Sequence, residues 1–468
     1  MSAFVQHTDA DRRAMLRTIG VSALEELFAD IPESIRAKGG LPIEQGVTEP
    51  ETLGKLAKLA AKNVSAASHV CFAGGGMYDV AVPAATGAIA SRPEFSTSYT
   101  PYQAEVSQGT LQAIYEFQTI VARLTALDLS NASMYDGGTA LAEAVILASG
   151  AREGNRVLVT PHLNPHHREI LNTMLEPTGL EIVELPRSGL RTDVAAITAD
   201  AQKGAVAVVL QQPNFYGALE DMKAAGQALQ GATKPLFIAS VDMSSLAMLE
   251  PPGAYGADIA VGEAQPLGFP MSFGGPAAGV FAAKAEYLRR MPGRIAGMGK
   301  DVHGNRAFTL TFQTREQHIR RSKATSNICT NQSLLALMAT VTTALLGETG
   351  RRLAAKVSAE KAWSLSRRLT QIPGVELADP DAAFFREFAI RLPREVSPRA
   401  ILRKMRERGF LAGIPLDPLP GGGRGLLIAV TEKRLWSEIE AYVTAFRAAV
   451  EAERGGARSP ETVSQAAR

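Results

Sequence analysis

The sequence predicts an α/β fold. It has a large domain on a mostly parallel sheet, a helical arm before it and a small α+β domain after it. Three observations predict this. Between about Ser130 and Lys284, short apolar runs alternate with helical segments, the pattern of a parallel sheet covered on both faces. Residues 1–65 carry helix-start signals but no such runs. After Asn331 a long helical stretch leads into a shorter mixed region. The predicted organisation is an arm over 1–65, a large α/β domain over 66–330, a connecting helix and small α+β domain over 331–453, and a disordered tail over 454–468.

Each element has a local cause. In the arm, Thr8 precedes a helix beginning at Asp9, and Ser22 with Glu25 reads as a capping box. Met15, Leu16 and Ile19 share one face, as do Leu24, Leu27 and Phe28. Pro32 ends that segment, and Pro50 opens another helix reaching about Asn63. Such an arm either wraps around a partner subunit or packs on its own chain. In the large domain, Arg156–Thr160, Leu180–Leu185, Ala205–Leu210, Leu236–Val241 and Asp258–Val261 read as buried strands, with helices from Pro165 and over Leu219–Leu229. Ligands in such sheets bind beyond the carboxyl ends of the strands. A long helix is expected over Asn331–Leu346. Strands near Phe385–Leu392 and Gly425–Val430, and helices near Pro398–Arg408 and Leu435–Ala452, complete the small domain. This ordering resembles the fold-type I architecture of pyridoxal-phosphate enzymes.

Composition narrows the function classes. At 468 residues and 46% hydrophobic, the chain has material for several cores. Its 49 basic and 47 acidic residues give a net charge of +2, without the basic excess of a nucleic-acid binder. Cys71 and Cys329 are its two cysteines, too few for a disulfide scaffold, and predict a reducing, cytoplasmic setting. Met1–Arg17 has no apolar core, so it does not read as a signal peptide. The most apolar stretch, Ala140–Gly150, is about half the ~20 residues of a membrane span. Neither nucleic acid nor membrane is an expected partner.

Several segments can carry chemistry. Gly74-Gly75-Gly76 allows close backbone approach to a small anion and equally suits a tight turn. Ser130–Thr139 leads into a helix, so Gly137, Gly138 and Thr139 could present free N–H groups to a phosphate. Asp136 or Thr139 could instead simply cap that helix. Asp242 follows the strand Leu236–Val241, where a carboxylate can hold a pyridinium nitrogen protonated, though turn and cap roles are commoner there. His162, His166 and His167, interleaved with Pro161 and Pro165, read as a surface loop without metal-ligand spacing. Gln313–Asn331 is rich in cations, with Arg315, Arg320, Arg321 and Lys323 offset by Glu316. It reads either as a solvated face or as a polar connection.

Four motifs carry a resemblance: Pro101–Gln112, Ser130–Thr139, Gly274-Gly275-Pro276 and Arg315–Asn331. They closely resemble subunit 1 (alpha) of the two-subunit glycine dehydrogenase (decarboxylating), the P-protein of the glycine cleavage system. The resemblance implies that glycine is decarboxylated with pyridoxal phosphate and that the aminomethyl group passes to the lipoyl arm of the H-protein. It also implies two partners, a beta subunit (glycine dehydrogenase subunit 2) and lipoylated H-protein, within the wider set of glycine cleavage system proteins.

One position separates this chain from a catalytic pyridoxal-phosphate subunit. Gln265 falls where the catalytic partner's similar stretch has its Schiff-base lysine, and an amide nitrogen is not nucleophilic. The position before it, where the catalytic subunit resembles a His-Lys pair, is the small Ala264. The resemblance therefore implies no catalytic residue in this chain alone, with the cofactor held on the beta subunit. Tyr99, Tyr102, Glu105, Arg315, Arg320, Lys323 and Asn327 are the candidates for an active-site wall or interface. Asp242, Gly137, Gly138 and Thr139 become vestigial cofactor positions. The vacated pocket is expected to be filled by side chains such as Met271 and Phe273. Two alternatives remain open: an independent pyridoxal-phosphate lyase or aminotransferase using another lysine, and a purely structural subunit.

Overall fold

The computed structural model describes residues 6–456 except 38, 40, 41, 202, 232 and 233. The chain divides into two compact units, Met1–Val64 and Ser65–Arg468.

The first unit is helical. Helix α1 (Asp9–Ile19) starts at Thr8, whose hydroxyl accepts from the Asp11 N–H, while the Asp11 carboxylate accepts from the Thr8 N–H. Helix α2 (Glu49–Ala60) repeats the device with Thr48 and Glu51. The expected Ser22–Glu25 box is displaced by one residue. Glu26 accepts from the N–H groups of Ser22 and Ala23, and the segment Leu24–Phe28 is a tight 3₁₀ turn.

The second unit is built on a seven-stranded sheet. Its strands are β1 (Leu129–Ser130), β2 (Arg156–Val159), β3 (Glu181–Glu184), β4 (Ala205–Gln212), β5 (Leu236–Val241), β6 (Ile259–Glu263) and β7 (Gly279–Ala283). The spatial order is β1-β7-β6-β5-β4-β2-β3. Pairing is parallel from β6 through to β3, and β7 runs antiparallel to both its neighbours. Alternate residues face opposite sides of a strand. Val208, Phe237 and Ala260 thus enter one core, and Val209, Ile238 and Ile259 the other. Burial on both faces is why these strands are continuous apolar runs. Covering helices include α3 (Gln108–Thr125), α4 (Gly137–Ala151) and α5 (Pro165–Leu175). A hairpin of β8 (Ile295–Lys300) and β9 (Arg306–Thr311) packs with Leu111 and Ile114 of α3.

Helix α6 (Ser333–Leu369) connects this layer to the last one and breaks its helical geometry at Gly347. It is the one helix among the described residues long and apolar enough by composition to cross a membrane. Its Ala336 and Ala339 pack in the core against the large sheet, and Arg351 and Arg352 follow the break. Leu334, Leu345 and Leu346 of the same stretch are exposed.

The last layer is a four-stranded antiparallel sheet of β10 (Glu376–Leu377), β11 (Glu387–Arg391), β12 (Ile414–Leu416) and β13 (Gly425–Ala429), in the order β10-β11-β13-β12. Helices α7 (Pro398–Arg406) and α8 (Trp436–Gly456) cover it through Ile401, Met405, Tyr442 and Phe446. The helix α8 extends two residues beyond Arg454, where the tail was expected to begin; residues 457–468 lie outside the described part.

Candidate functional site

Strands β5 and β6 end side by side, so the residues that follow them converge. Asp242 follows β5, and Glu263 and Gln265 stand at the end of β6. The start of α4 approaches from the opposite side, with the Gly137 N–H 3.0 Å from Glu263 Oε2. From the last layer come Arg386 and Glu387, at the start of β11. The strap Ala73–Val82 passes between the two sheets and carries Tyr78.

Gln265 is wholly buried, and its amide is fully used. Its Oε1 accepts from the Tyr78 N–H at 2.9 Å. Its Nε2 donates to the carbonyls of Tyr78 and Phe269, both at 2.8 Å. Unpaired, each of these buried backbone groups would cost about 1–3 kcal/mol.

Asp242 is engaged on both oxygens. Oδ1 accepts from the backbone and hydroxyl of Ser244. Oδ2 lies 2.6 Å from Nη2 of Arg386, which is 2% exposed. The guanidinium also stacks on Tyr78, 3.8 Å from the ring centroid.

The start of α4 is capped twice by the chain itself. Asp136 Oδ1 accepts from the Thr139 N–H at 2.8 Å. Glu263 takes the Gly137 N–H, and its other oxygen accepts from the N–H groups of Ala278 and Gln265 at 3.0 and 3.3 Å. Burial pushes the Glu263 carboxyl up to about 7, and the neighbouring Asp136 charge adds to the rise.

Glu387 receives the Gly75 N–H at 2.7 Å and the Tyr78 hydroxyl at 2.8 Å. Burial raises it to about 7, against the lowering effect of those two donors. A Cβ on Gly74 would stand 2.1 Å from Glu387 Oε1, and Gly75 has a φ of +76°. The glycine run therefore does wrap a carboxylate, one supplied by the chain.

Of the two predicted pocket fillers, Phe273 is corrected. Phe273 is 79% exposed and fills no pocket, while Met271 is half-buried. The histidine segment is corrected in part: His166 is exposed as expected, whereas His162 and His167 are not. His162 is buried, and its ring meets Tyr216 edge-on. His167 Nδ1 is buried, with no hydrogen-bond partner among the described residues. Desolvation lowers both imidazoles to about 4, so they stay neutral. Lys234 and Lys284, the lysines flanking the segment in sequence, both lie 2.5 Å from Asp258 at the opposite end of β6. Burial alone would raise Asp258, but the two ammonium groups hold it below the ordinary value.

The wall candidates divide. Tyr102 meets Arg294, which donates to its hydroxyl at 3.2 Å and lies 5.4 Å from its ring centroid. Arg294 is buried, also donates to Thr330 Oγ1, and leaves its Nε unpartnered. Arg315 donates to the carbonyls of Met291 and Gly293. Buried Glu316 lies 3.7 Å from His318 and is raised by burial against the pull of Arg315 and Arg294. Tyr99, Glu105, Arg320, Lys323 and Asn327 are exposed, with no ion pair or side-chain hydrogen bond among the described residues.

Residues 2–446 match the family described as "Glycine cleavage system P-protein". The chain belongs to that family. It is 48% identical over 444 residues to "Probable glycine dehydrogenase (decarboxylating) subunit 1" of Chlorobaculum parvum, covering 94% of this chain and 98% of that protein. Among solved structures, "glycine decarboxylase (P-protein) of the glycine cleavage system, in inhibitor-bound form" superposes with a TM-score of 0.87 at 44% identity, covering 95% and 99% of the two chains. A sphingosine-1-phosphate lyase of Burkholderia pseudomallei, 14% identical with a TM-score of 0.64 over 92% of this chain and 96% of that one, shares the fold alone.

Fold-type I enzymes hold pyridoxal phosphate through a lysine, an anion site and, in many, a carboxylate on the ring nitrogen. In this P-protein chain the residues do not fit the group. The lysine position is a hydrogen-bonded glutamine, the start of α4 faces Glu263, and Asp242 is paired to Arg386. Sequence reasoning missed Tyr78, Arg386 and Glu387 because their partners lie 144 or more positions away. Glu263 did leave a signal: it stands two residues before Gln265 in the same motif, and its Oε1 accepts from the Gln265 N–H.

Proposed function

We propose that this chain is the cofactor-free half of a two-subunit P-protein. As a P-protein-family chain akin to subunit 1, it is part of glycine dehydrogenase (decarboxylating) in the glycine cleavage system. In our reading a beta subunit (glycine dehydrogenase subunit 2) holds the pyridoxal phosphate on which glycine loses carbon dioxide. Lipoylated H-protein receives the aminomethyl group on its lipoyl arm, and the other glycine cleavage system proteins complete the cycle. The observation that carries the reading is Gln265, whose amide is not a nucleophile and is fully committed to Tyr78 and Phe269. The pairing of Lys234 and Lys284 with Asp258 speaks against an independent lyase or aminotransferase using either lysine.

The chain's contribution to the reaction is then a surface. Tyr102, oriented by Arg294, and Arg315, fixed on two carbonyls, are firm supports for exposed Tyr99, Glu105, Arg320, Lys323 and Asn327. These are the residues we assign to the beta-subunit interface and the approach to its active site. A cytoplasmic location is part of the reading and is supported by the low cysteine count.

Co-expression with the beta subunit followed by a glycine–bicarbonate exchange assay tests the proposal. The chain alone is expected to bind no pyridoxal phosphate, release no carbon dioxide from glycine and trap no cofactor on borohydride reduction. Activity should appear on mixing. Stoichiometric cofactor trapped on this chain would falsify the assignment. Full activity of the assembled complex after Tyr99→Ala and Tyr102→Ala would favour a purely structural role.

A further inference from the structure

The residues that would have held a cofactor are joined to one another, and the joints cross between the sheets. Tyr78 lies at the centre. Its backbone N–H donates to the Gln265 amide and its carbonyl accepts from it, at the end of β6 in the seven-stranded sheet. Its hydroxyl reaches Glu387, the first residue of β11 in the four-stranded sheet. Its ring is covered by Arg386, which also bonds to Asp242 at the end of β5. The strap has further ties to the last layer. The Gly75 N–H bonds to Glu387, the Ala81 N–H to Glu432, and the Asp79 carboxylate to Lys433 and Arg434. Asn164 ties the Gly75 carbonyl back to the start of α5.

We propose that the degenerate cofactor site serves as a rivet, fastening the four-stranded sheet to the seven-stranded sheet through the Ala73–Val82 strap and excluding pyridoxal phosphate by occupying its anchoring groups. Glu263 presents its carboxyl oxygen to the start of α4. Arg386 presents a cation to Asp242. Gln265 takes the place of the lysine and clamps the strap. A cofactor-binding member of such a fold keeps these groups for a removable ligand, whereas here permanent side chains hold them. The inference rests on this geometry and holds whether or not the chain acts in glycine cleavage.

Backbone hydrogen exchange on the full chain tests it. In the wild-type protein the amides of Gly75, Tyr78 and Ala81 should exchange as slowly as those of β11. Gln265→Ala should speed them at least tenfold, and should also speed the four-stranded sheet, while Val208 and Ile238 in the large sheet stay unchanged. Arg386→Gln should act on the same amides. The double variant should fall short of the product of the single effects, because both substitutions release one strap. Tyr78→Phe, which keeps the ring and the backbone, should give a smaller increase of the same pattern if the larger changes prevent folding. Acceleration confined to the strap, or multiplicative effects of the two substitutions, would overturn the rivet. Pyridoxal phosphate added to the wild-type protein should leave the Gly137 and Gly138 amides unaffected. Slowing there would mean that the ligand displaces Glu263, and would overturn the exclusion.

Discussion

Gln265 shows how much one substitution can alter. A lysine side chain there could still donate to the carbonyls of Tyr78 and Phe269, but nothing would accept from the Tyr78 N–H. An ammonium would also enter a site with no exposure, where a charge must be paired or neutralised. Gln265→Leu leaves the Tyr78 N–H and the Phe269 carbonyl bare, while the Tyr78 carbonyl keeps the Val80 N–H, and is expected to lower the unfolding free energy by about 2–5 kcal/mol, read from urea midpoints. Gln265→Lys alone is expected to destabilise as well, to bind pyridoxal phosphate poorly and to release no carbon dioxide from glycine. Asp242 stays paired to Arg386 and Glu263 stays on Gly137 whatever occupies position 265. Appreciable turnover by this variant without its partner would mean that those contacts yield to the cofactor and that the site is one residue from an enzyme.

At the scale of elements, the segment between β9 and α6 is held by very few of its cations. Arg315 bonds two carbonyls of the turn that leads into β8, and burial pulls its guanidinium below the ordinary value. Arg315→Gln is expected to cost about 1–3 kcal/mol. Exposed Arg320→Gln and Lys323→Gln should each stay within about 0.5 kcal/mol in the isolated chain. Equal effects of all three on the thermal midpoint would refute this division. The strands of the large sheet were legible because burial on both faces leaves continuous apolar runs such as Ala205–Leu210. The β8–β9 hairpin was not, since Gly297, Gly299 and Lys300 interrupt its apolar pattern. The missing lysine could be read at Gln265 because it stands inside a motif. The Arg386–Asp242 joint could not, because no local pattern links positions 144 residues apart.

For the whole molecule, the buried ionisable groups set a pH dependence whose sign can be worked out. Burial raises Glu143, Glu263 and Glu387 from 4.5 to about 7, so the folded chain keeps protons that the unfolded chain releases. Their stabilising contribution is complete below about 4.5 and is lost as pH rises through about 7. Burial lowers His162 and His167 from 6.5 to about 4, which acts in the opposite sense: the unfolded chain binds the extra protons, and stability grows with pH up to about 6.5. Between pH 5 and 6 the two histidines offset two of the three glutamates, and the remaining one makes stability fall with pH. Above about 6.5 only the glutamates still titrate, and each proton released there changes stability by at most roughly 1.4 kcal/mol per pH unit. Denaturant midpoints of the isolated chain should therefore fall from pH 5 to 6 and go on falling between pH 6.5 and 8. Glu263→Gln with Glu387→Gln should flatten that fall, because an amide keeps the hydrogen-bonding shape without a proton to lose. A midpoint that climbs steadily through pH 8 would mean that these carboxyls ionise inside the fold at their ordinary pH, and that Arg386 and the strap N–H groups stabilise the anions more than burial opposes them.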